Sequence, residues 1–451
     1  MDYFTTINVI MTVLFSLLGA FAAHFVVFAI VGVFRRKTVP QTDKINKYGL
    51  IIPARNEEEV VAGLIESIKK NDYPQDMLQV FVIAHNCSDR TAEIAREHGA
   101  TVYEYNNPAE NTMGYAFKYL FSCIERDYGT QSYDGFFLFN ADNILDRNYI
   151  ARMNDAFEYY NRESVITSFR NSKNFGTNLI SGLYGMYFAV GCRLESRGRT
   201  VLGCSTRVQG TGYLVNSKVV KDGWPYVSLT EDWEFTADQI LHFNNIRYCD
   251  DAVFYDEQPT TLHIMWRQRV RWSRGHLLVF YARFRDLVTN VFRKGTCHRG
   301  SVYDIMVNTT PAPLFMLLLQ ILQFILTVTA PLVDRSLTYR RVFVGDKAGF
   351  WQSFWLSDGL LFTWLRSTVI SFIFTALIAV LIFIIERRRI KGVSFGMKVL
   401  ITLAWPLFLL IQIPIDVQAL LSRHLGWKPI PHKDKTSFEH VNPTESDPVK
   451  E

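Results

Sequence analysis

Four long apolar segments flank a polar middle region, so the chain must fold into a membrane part and a soluble part. They are Val9–Phe34, Ala312–Val333, Ser367–Ile385 and Val399–Ile415. The first three carry no charged residue apart from a histidine at His24, and each is long enough to cross a bilayer. The fourth is shorter and contains Pro406 and Pro414, which favours a broken or re-entrant element.

The charges beside these segments predict their orientation. The first segment is too long for a signal-peptide core and lacks a basic start, so we expect it to remain as an anchor. Only Asp2 precedes it, whereas the run Arg35–Lys37 follows it, so the positive-inside rule puts the N-terminus outside and residues 35–311 in the cytoplasm. The mostly basic run Glu386–Arg389, which follows the third segment, also predicts a cytoplasmic position for that end. A full fourth crossing would leave basic residues outside, so a re-entrant path is favoured and a crossing remains the alternative.

Charge and cysteine content narrow the classes of partner. The net charge is +5, and the basic residues cluster beside membrane segments, which indicates anionic lipid and anionic substrates rather than nucleic acid. The six cysteines include no CxxC pair, so neither a zinc site nor a disulfide framework is indicated.

The middle region alternates between strand and helix patterns. Strands are predicted at residues 49–53, 80–84, 101–105 and 135–139, and helices at 57–70, 91–98, 115–124 and 233–243. This alternation predicts a parallel sheet whose ligand lies beyond the carboxyl ends of the strands. Those ends carry Asn56 and Glu57, His85 and Asn86, and Asn140 to Asp142. The region lacks a GxGxxG or GxxxxGK[ST] motif, which argues against dehydrogenase and P-loop functions.

Two further segments have distinctive patterns. Apolar residues in 276–293 recur at helical spacing with arginines between them, which predicts a helix lying at the membrane surface. A helix packed on the soluble core is the alternative. Residues 433–451 are polar, and we expect a disordered tail.

Two acidic residues are candidates for chemistry. Asp142 follows the fourth strand, where it is suited to a divalent cation that bridges a diphosphate; a turn or helix-cap role is the alternative. Asp232 precedes a predicted helix and is suited to take a proton from an attacking hydroxyl. The alternative for Asp232 is a structural role. Ser228 and Glu231 fit a capping box, which would make Glu231 and Asp232 ordinary residues of the first helical turn.

The segment 268–272 reads Gln-Arg-Val-Arg-Trp. In a helix, Gln268, Arg271 and Trp272 share one face and present an amide, a guanidinium and an indole to a single ligand. A guanidinium binds phosphate through paired donors, so this face suits a sugar phosphate. A basic face at lipid headgroups is the alternative.

In their order and spacing, these motifs resemble the membrane-embedded processive family-2 glycosyltransferases. These are the synthases of cellulose, mixed-linkage glucan, hyaluronan and poly-N-acetylglucosamine. The QxxRW signature at 268–272 is the most specific match, followed by Thr230–Asp232; the segments 210–212 and 427–429 also match. The resemblance extends from residue 49 to about residue 432. It implies a GT-A domain, Rossmann-like with a mostly parallel sheet, joined to interfacial helices and a transmembrane bundle.

The resemblance also implies roles for individual residues. Asp142 would bind Mg²⁺ or Mn²⁺, and Asp232 would be the catalytic base. The acceptor and diphosphate would be bound by Glu231, Gln268, Arg269, Arg271 and Trp272. The nucleotide sugar would be bound by Asn56, Glu57, His85, Asn86, Asp89, Asn140 and Asp142. Trp427 and Lys428 would be candidates for a channel gate.

Three departures from the family pattern affect the nucleotide site. Asn140 replaces the first aspartate of the DxD motif, Met113 replaces a common lysine, and His85 stands where an aspartate usually contacts the nucleotide. Either His85 takes over the base contact or Asp89 does. These departures leave the donor preference open, whereas the catalytic aspartate and the acceptor motif are intact.

The sequence thus predicts a processive, inverting glycosyltransferase of the plasma membrane that uses a UDP-sugar, with UDP-glucose favoured over UDP-N-acetylglucosamine. It would pass a β-linked polysaccharide across the bilayer, with an export partner as an option. The predicted regions are an anchor (1–37), a cytoplasmic catalytic domain (38–275), interfacial helices (276–311), a membrane region (312–432) and the tail (433–451). A non-processive lipid glycosyltransferase and a non-catalytic scaffold are the alternatives.

Overall fold

A central sheet of eight strands organises the soluble domain. The computed structural model describes residues 3–163, 165–293, 298–347, 349–422, 430 and 432–442. The strands are Tyr48–Ala54 (β1), Leu78–His85 (β2), Thr101–Tyr105 (β3), Gly135–Leu138 (β4), Ile144–Leu145 (β5), Val165–Ser172 (β6), Tyr213–Asn216 (β7) and Ile246–Asp256 (β8). Their order in the sheet is β3-β2-β1-β4-β7-β6-β8-β5. The four strands predicted from the sequence are confirmed, with ends that shift by one or two residues.

The sheet is parallel in one half and mixed in the other. Strands β1 to β4 run parallel to one another, as expected. Strand β7 pairs antiparallel with β4 because the chain enters it beside the carboxyl end of β4, where Gly212 N donates to Leu138 O at 2.9 Å. Strand β7 also pairs antiparallel with β6, and β5 with β8, whereas β6 pairs parallel with β8 along its whole length, so the sheet as a whole is mostly parallel, as predicted.

Helices cover both faces of the sheet and continue into the membrane part. In chain order they are Tyr3–Ala22 (α1), His24–Phe34 (α2), Val61–Lys69 (α3), Thr91–Glu97 (α4), Met113–Asp127 (α5), Tyr149–Tyr159 (α6), Leu179–Val190 (α7), Arg197–Val201 (α8), Glu231–Leu241 (α9), Leu262–Phe292 (α10), Arg299–Thr309 (α11), Ala312–Val333 (α12), Tyr339–Phe343 (α13), Phe350–Leu356 (α14), Leu360–Ile385 (α15), Phe395–Leu410 (α16), Gln412–Leu421 (α17) and Phe438–Val441 (α18).

The core lies in two layers because side chains alternate across each strand. On β1, Ile51 faces one layer and packs with α5 and α9. Its neighbours Leu50 and Ile52 face the other layer and pack with α3 and α6. All three side chains are fully buried, and burying each contributes about 1.5–3 kcal/mol. The two layers hold the carboxyl ends of β1, β2 and β4 at one edge of the domain.

Within the described residues, four helical segments are long and apolar enough to cross a membrane, so this is a membrane protein. They are α1, α12, α15 and the continuous segment Phe395–Leu421, which comprises α16 and α17. The predicted apolar segment 312–333 forms a helix with the same bounds, and α15 begins seven residues earlier than predicted, at Leu360.

The predicted N-terminal span is divided into two helices with different surroundings. Helix α1 has the length of a span, whereas α2 packs closely against the catalytic domain. A Cβ on Gly198 would lie 2.1 Å from Phe28 O, so only glycine permits this approach. His24 begins α2 and lies 3.0 Å from the buried Asp304 carboxylate. The prediction of one continuous segment over 9–34 is therefore wrong, because a polar contact and close helix packing hold residues 24–34 on the soluble domain.

Helix α10 joins the QxxRW segment to the stretch predicted to lie at the membrane surface. The predicted domain boundary at residue 275 falls inside this helix. Leu287 of α10 and Val302 of α11 are fully buried in the same core layer as Ile51, which fits the alternative of packing on the soluble core. Tyr281 and Phe292, by contrast, are 64% and 74% exposed. The amphipathic stretch therefore has one apolar side on the core and another left exposed.

The segment Phe395–Leu421 begins and ends beside the catalytic domain. Before it, Gly392 O lies 2.3 Å from the position that a Cβ on Gly176 would occupy. After it, His432 Nδ1 lies 2.9 Å from the Glu57 carboxylate. A segment whose flanks both contact one soluble domain returns to the side from which it came. This agrees with the re-entrant path that the sequence favours.

Residues 432–442 form an ordered segment on the catalytic domain, so the prediction of a disordered tail is wrong for them. Phe438 is 4% exposed and lies between the cationic groups of Lys70 and Arg147. Asn442 Nδ2 donates to Leu145 O at 3.1 Å. One buried aromatic ring and these polar contacts anchor an otherwise polar segment. Trp427 and Lys428, like residues 443–451 and Cys297, lie outside the described residues.

Buried ion pairs connect the membrane-proximal helices to the catalytic domain. Arg199 donates to both Asp304 oxygens, at 2.7 and 3.1 Å, and the two side chains are 1% and 5% exposed. We expect Asp304→Asn to lower the free energy of unfolding by about 3 kcal/mol, because it leaves a buried guanidinium without its main counter-charge. Chemical denaturation in detergent measures this. Asp222→Asn is the control, because that carboxylate is 88% exposed; equal stability of the two variants would contradict the prediction.

Phe438 should hold the C-terminal segment in place. Replacing this buried ring with alanine removes about 3 kcal/mol of packing, so we expect Phe438→Ala to release residues 432–442. Hydrogen–deuterium exchange would then rise across these residues and remain unchanged in β1. His440→Ala, which alters an exposed residue of the same short helix, should leave the exchange as it is. Unaltered protection in Phe438→Ala would show that the ring does not anchor the segment.

Candidate active site

The edge of the sheet formed by the carboxyl ends of β1, β2 and β4 brings the candidate residues together. Asn140 follows β4, and its backbone N donates to Thr211 Oγ1 at 2.8 Å. Thr211 also bonds to Asn143 Oδ1 at 2.5 Å. The segment 210–212 therefore fixes the loop that carries Asn140 and Asp142.

Asp232 lies in the first turn of α9, near the positive end of the helix dipole. Thr230 is the N-cap residue, and its side chain makes no capping bond. Ser228 N donates instead to Glu234 at 3.3 Å. The Ser228–Glu231 capping box is therefore not formed, although Glu231 and Asp232 both lie in the first turn of the helix.

Helix α10 approaches this turn closely because Gly275 has no side chain. A Cβ at Gly275 would lie 2.3 Å from the Thr230 side chain. One turn earlier, Arg271 Nη1 donates to Leu229 O at 2.7 Å. These two contacts hold the QxxRW face against residues 229–232.

A cavity of about 130 Å³ lies between these elements. Six of the predicted site residues line it: Asn140, Glu231, Asp232, Gln268, Arg271 and Trp272. Gln268 Oε1 and Thr230 Oγ1 are buried without a hydrogen-bond partner among the described residues. Buried polar atoms of this kind need a partner, so they indicate a polar ligand in the cavity.

Electrostatics in the cavity favour a base that is ready to accept a proton. Burial raises the pKa of the Asp232 carboxyl, and the Trp233 N–H and the Arg271 guanidinium oppose this rise. Burial and the neighbouring Asp232 carboxylate raise the pKa of Glu231 further above its ordinary range. Glu231 therefore retains a proton more readily than Asp232, which leaves Asp232 as the stronger candidate for the base.

A second cavity of about 380 Å³ adjoins the first. Tyr187, Arg207, Trp233, Trp272 and His276 line both cavities. The second cavity extends between α10, the start of α12 and the segment 408–416. A ligand can therefore reach from Asp232 toward the membrane-length helices.

Arg269 lies apart from the rest of its motif. Its guanidinium donates to Phe408 O at 3.0 Å and to Gln412 Oε1 at 2.7 Å. It lines the second cavity and not the first, because residue 269 lies on a different side of the helix from 268 and 271, whereas its neighbour Trp272 lines both cavities. Its contacts join α10 to α16 and α17.

Asp142 lies in a neighbouring carboxylate cluster rather than in the first cavity. Its Oδ2 accepts from Glu257 N at 2.8 Å. The Glu57 carboxylate lies 2.9 Å from His432 Nδ1, and Glu257 accepts from Lys433 N at 2.9 Å. Burial favours the neutral ring of His432, but the carboxylates of Asp142, Glu57 and Glu257 outweigh it and raise the pKa to about 9. The C-terminal segment therefore contributes a cationic side chain to this cluster.

The remaining nucleotide-site candidates serve mainly to shape the loops. Asn56 and Asn86 have positive φ angles of 58° and 54°. Their side chains accept from Ser88 N at 2.8 Å and from Asn107 N at 2.7 Å, which ties neighbouring loops together.

His85 and Asp89 are also engaged within the protein. His85 is 3% exposed, its Nε2 lies 2.7 Å from Glu110 O, and its ring stacks on Tyr105. Asp89 accepts from Thr91 N at 3.1 Å, as a helix-start residue does. Both side chains are therefore held by partners within the protein.

Four site residues were missed from the sequence: Arg170, Arg207, His276 and His432. His276 lies four residues after Trp272, so helical spacing alone would have placed it on the same face. Burial and the nearby Arg207 and Arg271 lower its pKa to about 3, so the ring is neutral. Arg170, Arg207 and His432 lie in no recognisable motif, and only the folded chain brings them to the site.

Comparison with known proteins agrees with this architecture. A model of the family described as "Glycosyltransferase like family 2" matches residues 46–275, just over half of the chain. The chain is 26% identical over 254 residues to "Probable glycosyltransferase YdaM" of Bacillus subtilis (strain 168). This aligned region covers 54% of this chain and 59% of that protein. It is 22% identical over 303 residues to "Poly-beta-1,6-N-acetyl-D-glucosamine synthase" of Staphylococcus epidermidis, which covers 64% of this chain and 68% of that protein.

Among solved structures, the mannosyltransferase PcManGT from Pyrobaculum calidifontis, in complex with GDP-Man and Mn²⁺, superimposes with a TM-score of 0.56. The match covers 93% of this chain and 100% of that one at 13% identity, so the likeness is one of fold. Together with the family match over residues 46–275, the fold and the assembled motifs establish that this chain belongs to glycosyltransferase family 2.

Proposed function

We propose that this protein is an inverting, processive glycosyltransferase that transfers a sugar from a UDP-sugar to the end of a growing β-linked polysaccharide. One observation carries the proposal. Asp232, Arg271 and Trp272 line a single cavity that continues into a second cavity beside the membrane-length helices. A base, a phosphate-binding group and a sugar-stacking surface then lie on one path from the soluble domain to the membrane.

A divalent cation fits the donor site as one held largely by the substrate. Among the described residues, no three His, Cys, Asp or Glu side chains converge on a common point for a metal. Mg²⁺ and Mn²⁺ commonly use one or two carboxylates together with phosphate oxygens, and Asp142 supplies such a carboxylate. When bound, the cation would neutralise charge on the diphosphate, with Asp142 as its main protein ligand. PcManGT, whose structure contains Mn²⁺ and a nucleotide sugar, supports this assignment.

The chemical step is a single displacement. The acceptor hydroxyl oxygen forms a bond to the anomeric carbon while the bond from that carbon to the diphosphate oxygen breaks. The hydroxyl proton passes to the Asp232 carboxylate, and the bonding electrons leave with UDP. The raised pKa of Asp232 suits this role, because a more basic carboxylate accepts a proton more readily. Attack from the face opposite the leaving group inverts the anomeric configuration.

Residues of this chain then have separate tasks. The Arg271 guanidinium would stabilise the negative charge that develops on the departing diphosphate. Gln268 Oε1, which lacks a partner among the described residues, would accept a hydrogen bond from a sugar hydroxyl. Trp272 would stack on the acceptor sugar, and its ring is held at 6.0 Å from that of Tyr184.

The proposal names two candidate sugars. We retain UDP-glucose as the first candidate donor. UDP-N-acetylglucosamine is the second, supported by the 22% identity to a poly-β-1,6-N-acetyl-D-glucosamine synthase. For orientation, we propose that the N-terminus is external and the catalytic domain cytoplasmic, in line with the basic residues 35–37 and the return of residues 395–421 to that domain.

The function is tested with purified protein in lipid nanodiscs, supplied with Mg²⁺ or Mn²⁺. Labelled UDP-glucose, UDP-N-acetylglucosamine and UDP-glucuronate are offered separately, and the product is sized and digested with linkage-specific glycosidases. A long polymer from one donor supports the proposal and identifies the sugar. A labelled lipid without polymer would instead identify a non-processive lipid glycosyltransferase. No transfer from any donor would favour a scaffold or a required partner.

Asp232→Asn should abolish transfer and leave donor binding intact. The variant removes the base, whereas Asp142 and Arg271 keep their contacts with the diphosphate. We expect the rate to fall by at least about 1,000-fold, which lies within the contribution of a general base. Steady-state rates and calorimetric UDP binding measure the two effects, with Asp222→Asn as the charge-matched control. Retention of more than about a tenth of the rate would exclude Asp232 as the base.

Trp272→Ala should affect chain growth more than donor use. The indole would hold the acceptor, so its loss should shorten the polymer while hydrolysis of the donor stays measurable. Product length and release of UDP, followed in the same reaction, separate these effects. Equal losses of hydrolysis and polymerisation would contradict an acceptor role for Trp272.

A further inference from the structure

Arg170 lies between the donor side and the base side of the first cavity, and the mechanism above gives it no role. It belongs to β6 and lines the cavity together with Asn140 and Asp232. Its side chain is only 11% exposed, although it carries a charge. Burying a guanidinium is costly unless its donors are paired, so the partners of Arg170 indicate what the residue does there.

The guanidinium of Arg170 divides its donors between two loops. Nε donates to Asp256 Oδ2 at 2.7 Å, and Nη2 donates to the same oxygen. On the other side, Nη1 donates to Gln209 O at 2.7 Å. The centre of the Phe188 ring lies 3.6 Å from the guanidinium carbon, which holds the group in place. One rigid, planar group therefore sets the spacing between Asp256 and Gln209.

The contact with Asp256 extends to Asp142, the proposed metal ligand. Asp256 is 2% exposed, and its other oxygen accepts from Gln258 Nε2 at 2.6 Å, so the carboxylate has little freedom to move. The next residue, Glu257, donates its backbone N–H to Asp142 Oδ2 at 2.8 Å. The orientation of Asp142 therefore depends on backbone that Arg170 holds through Asp256.

The contact with Gln209 extends to Asp232, the proposed base. Gly210 follows Gln209, and a Cβ at Gly210 would lie 3.8 Å from Asp232 Oδ2. The backbone that accepts the Arg170 bond is therefore next to the base. Burial raises the pKa of Asp232, and the Arg170 charge is among those that oppose this rise. Arg170 is thus linked to the donor side and to the base at the same time.

We propose that Arg170 is a positioning residue that sets the distance between a donor held at Asp142 and the base Asp232. All three nitrogens of its guanidinium bond within the protein, so it acts through the two loops and not by binding the substrate. A single displacement needs the attacked carbon and the base in register, and a shift of about 1 Å can slow a reaction by roughly 100-fold. This inference rests on the proposed function and adds a residue on which its geometry depends.

Arg170→Lys tests this role. Lysine keeps a positive charge for Asp256 but lacks the planar fork, so it cannot bond to Asp256 and to Gln209 O at the same time. We expect kcat for sugar transfer to fall by at least about 30-fold, while KM for the donor and binding of UDP with Mn²⁺ stay within about threefold of the wild type. Steady-state kinetics and calorimetry in nanodiscs measure these quantities.

Arg247→Lys is the matched control. Arg247 makes the same kinds of contact but lines neither cavity, since it lies 2.6 Å from the Glu163 carboxylate and donates to Gly203 O at 2.8 Å. This variant should transfer sugar as the wild type does. Hydrogen–deuterium exchange tests the positioning without the reaction. Exchange should rise at residues 208–211 in Arg170→Lys and stay unchanged in Arg247→Lys.

A second variant covers the case in which lysine at position 170 prevents folding. Arg170→Gln combined with Asp256→Asn removes both charges together, so that neither is left buried without its partner. It should keep UDP binding and show the same loss of kcat.

Transfer within about threefold of the wild type in either folded variant would overturn the inference, as would a loss of UDP binding that matches the loss of transfer. A wild type that transfers no sugar from any donor would instead contradict the proposed function. The exchange measurement would then still decide whether Arg170 holds residues 208–211.

Discussion

The contact between α10 and the turn before α9 is the interaction on which the site depends. Gly275 permits the approach to Thr230, and Arg271 bonds to Leu229 O at 2.7 Å. Without this contact, Asp232, which we propose as the base, and Trp272, which we propose as the stacking surface, would belong to separate elements with no fixed spacing. Because α10 is a single 31-residue helix, it also carries this geometry into the packing of α11 on the core. The catalytic centre and the membrane-proximal region therefore share one rigid element.

Buried ion pairs attach the membrane part to the catalytic domain. Arg389, just after α15, lies 3.3 Å from Asp250 of β8, and Arg193 lies 2.9 Å from Glu386. These charges are largely removed from water, so removing one partner costs more than the pair contributes. They restrict how α15 can sit relative to the sheet.

Much of the fold was predictable from local sequence patterns. The alternation of strand and helix patterns predicted β1 to β4, and the length of an apolar segment predicted α12 with its bounds. Each of these patterns lies within one short stretch of the chain. The antiparallel pairing of β7 and the division of the first span at Ala23 depend on contacts between distant residues. The role of His432 was hidden for the same reason, since it meets Glu57 across 375 positions of the chain. The QxxRW face was correctly placed except for Arg269, which faces another helix.

We propose that Asp232 is the base of a single displacement, and the stereochemistry of the product tests this proposal most directly. The anomeric configuration of the new glycosidic bond can be read from proton coupling constants of product made with a donor of α configuration. We expect a β linkage in the polymer made by the wild type and no polymer from Asp232→Asn. An α linkage would require a double displacement or a front-face reaction and would contradict the mechanism.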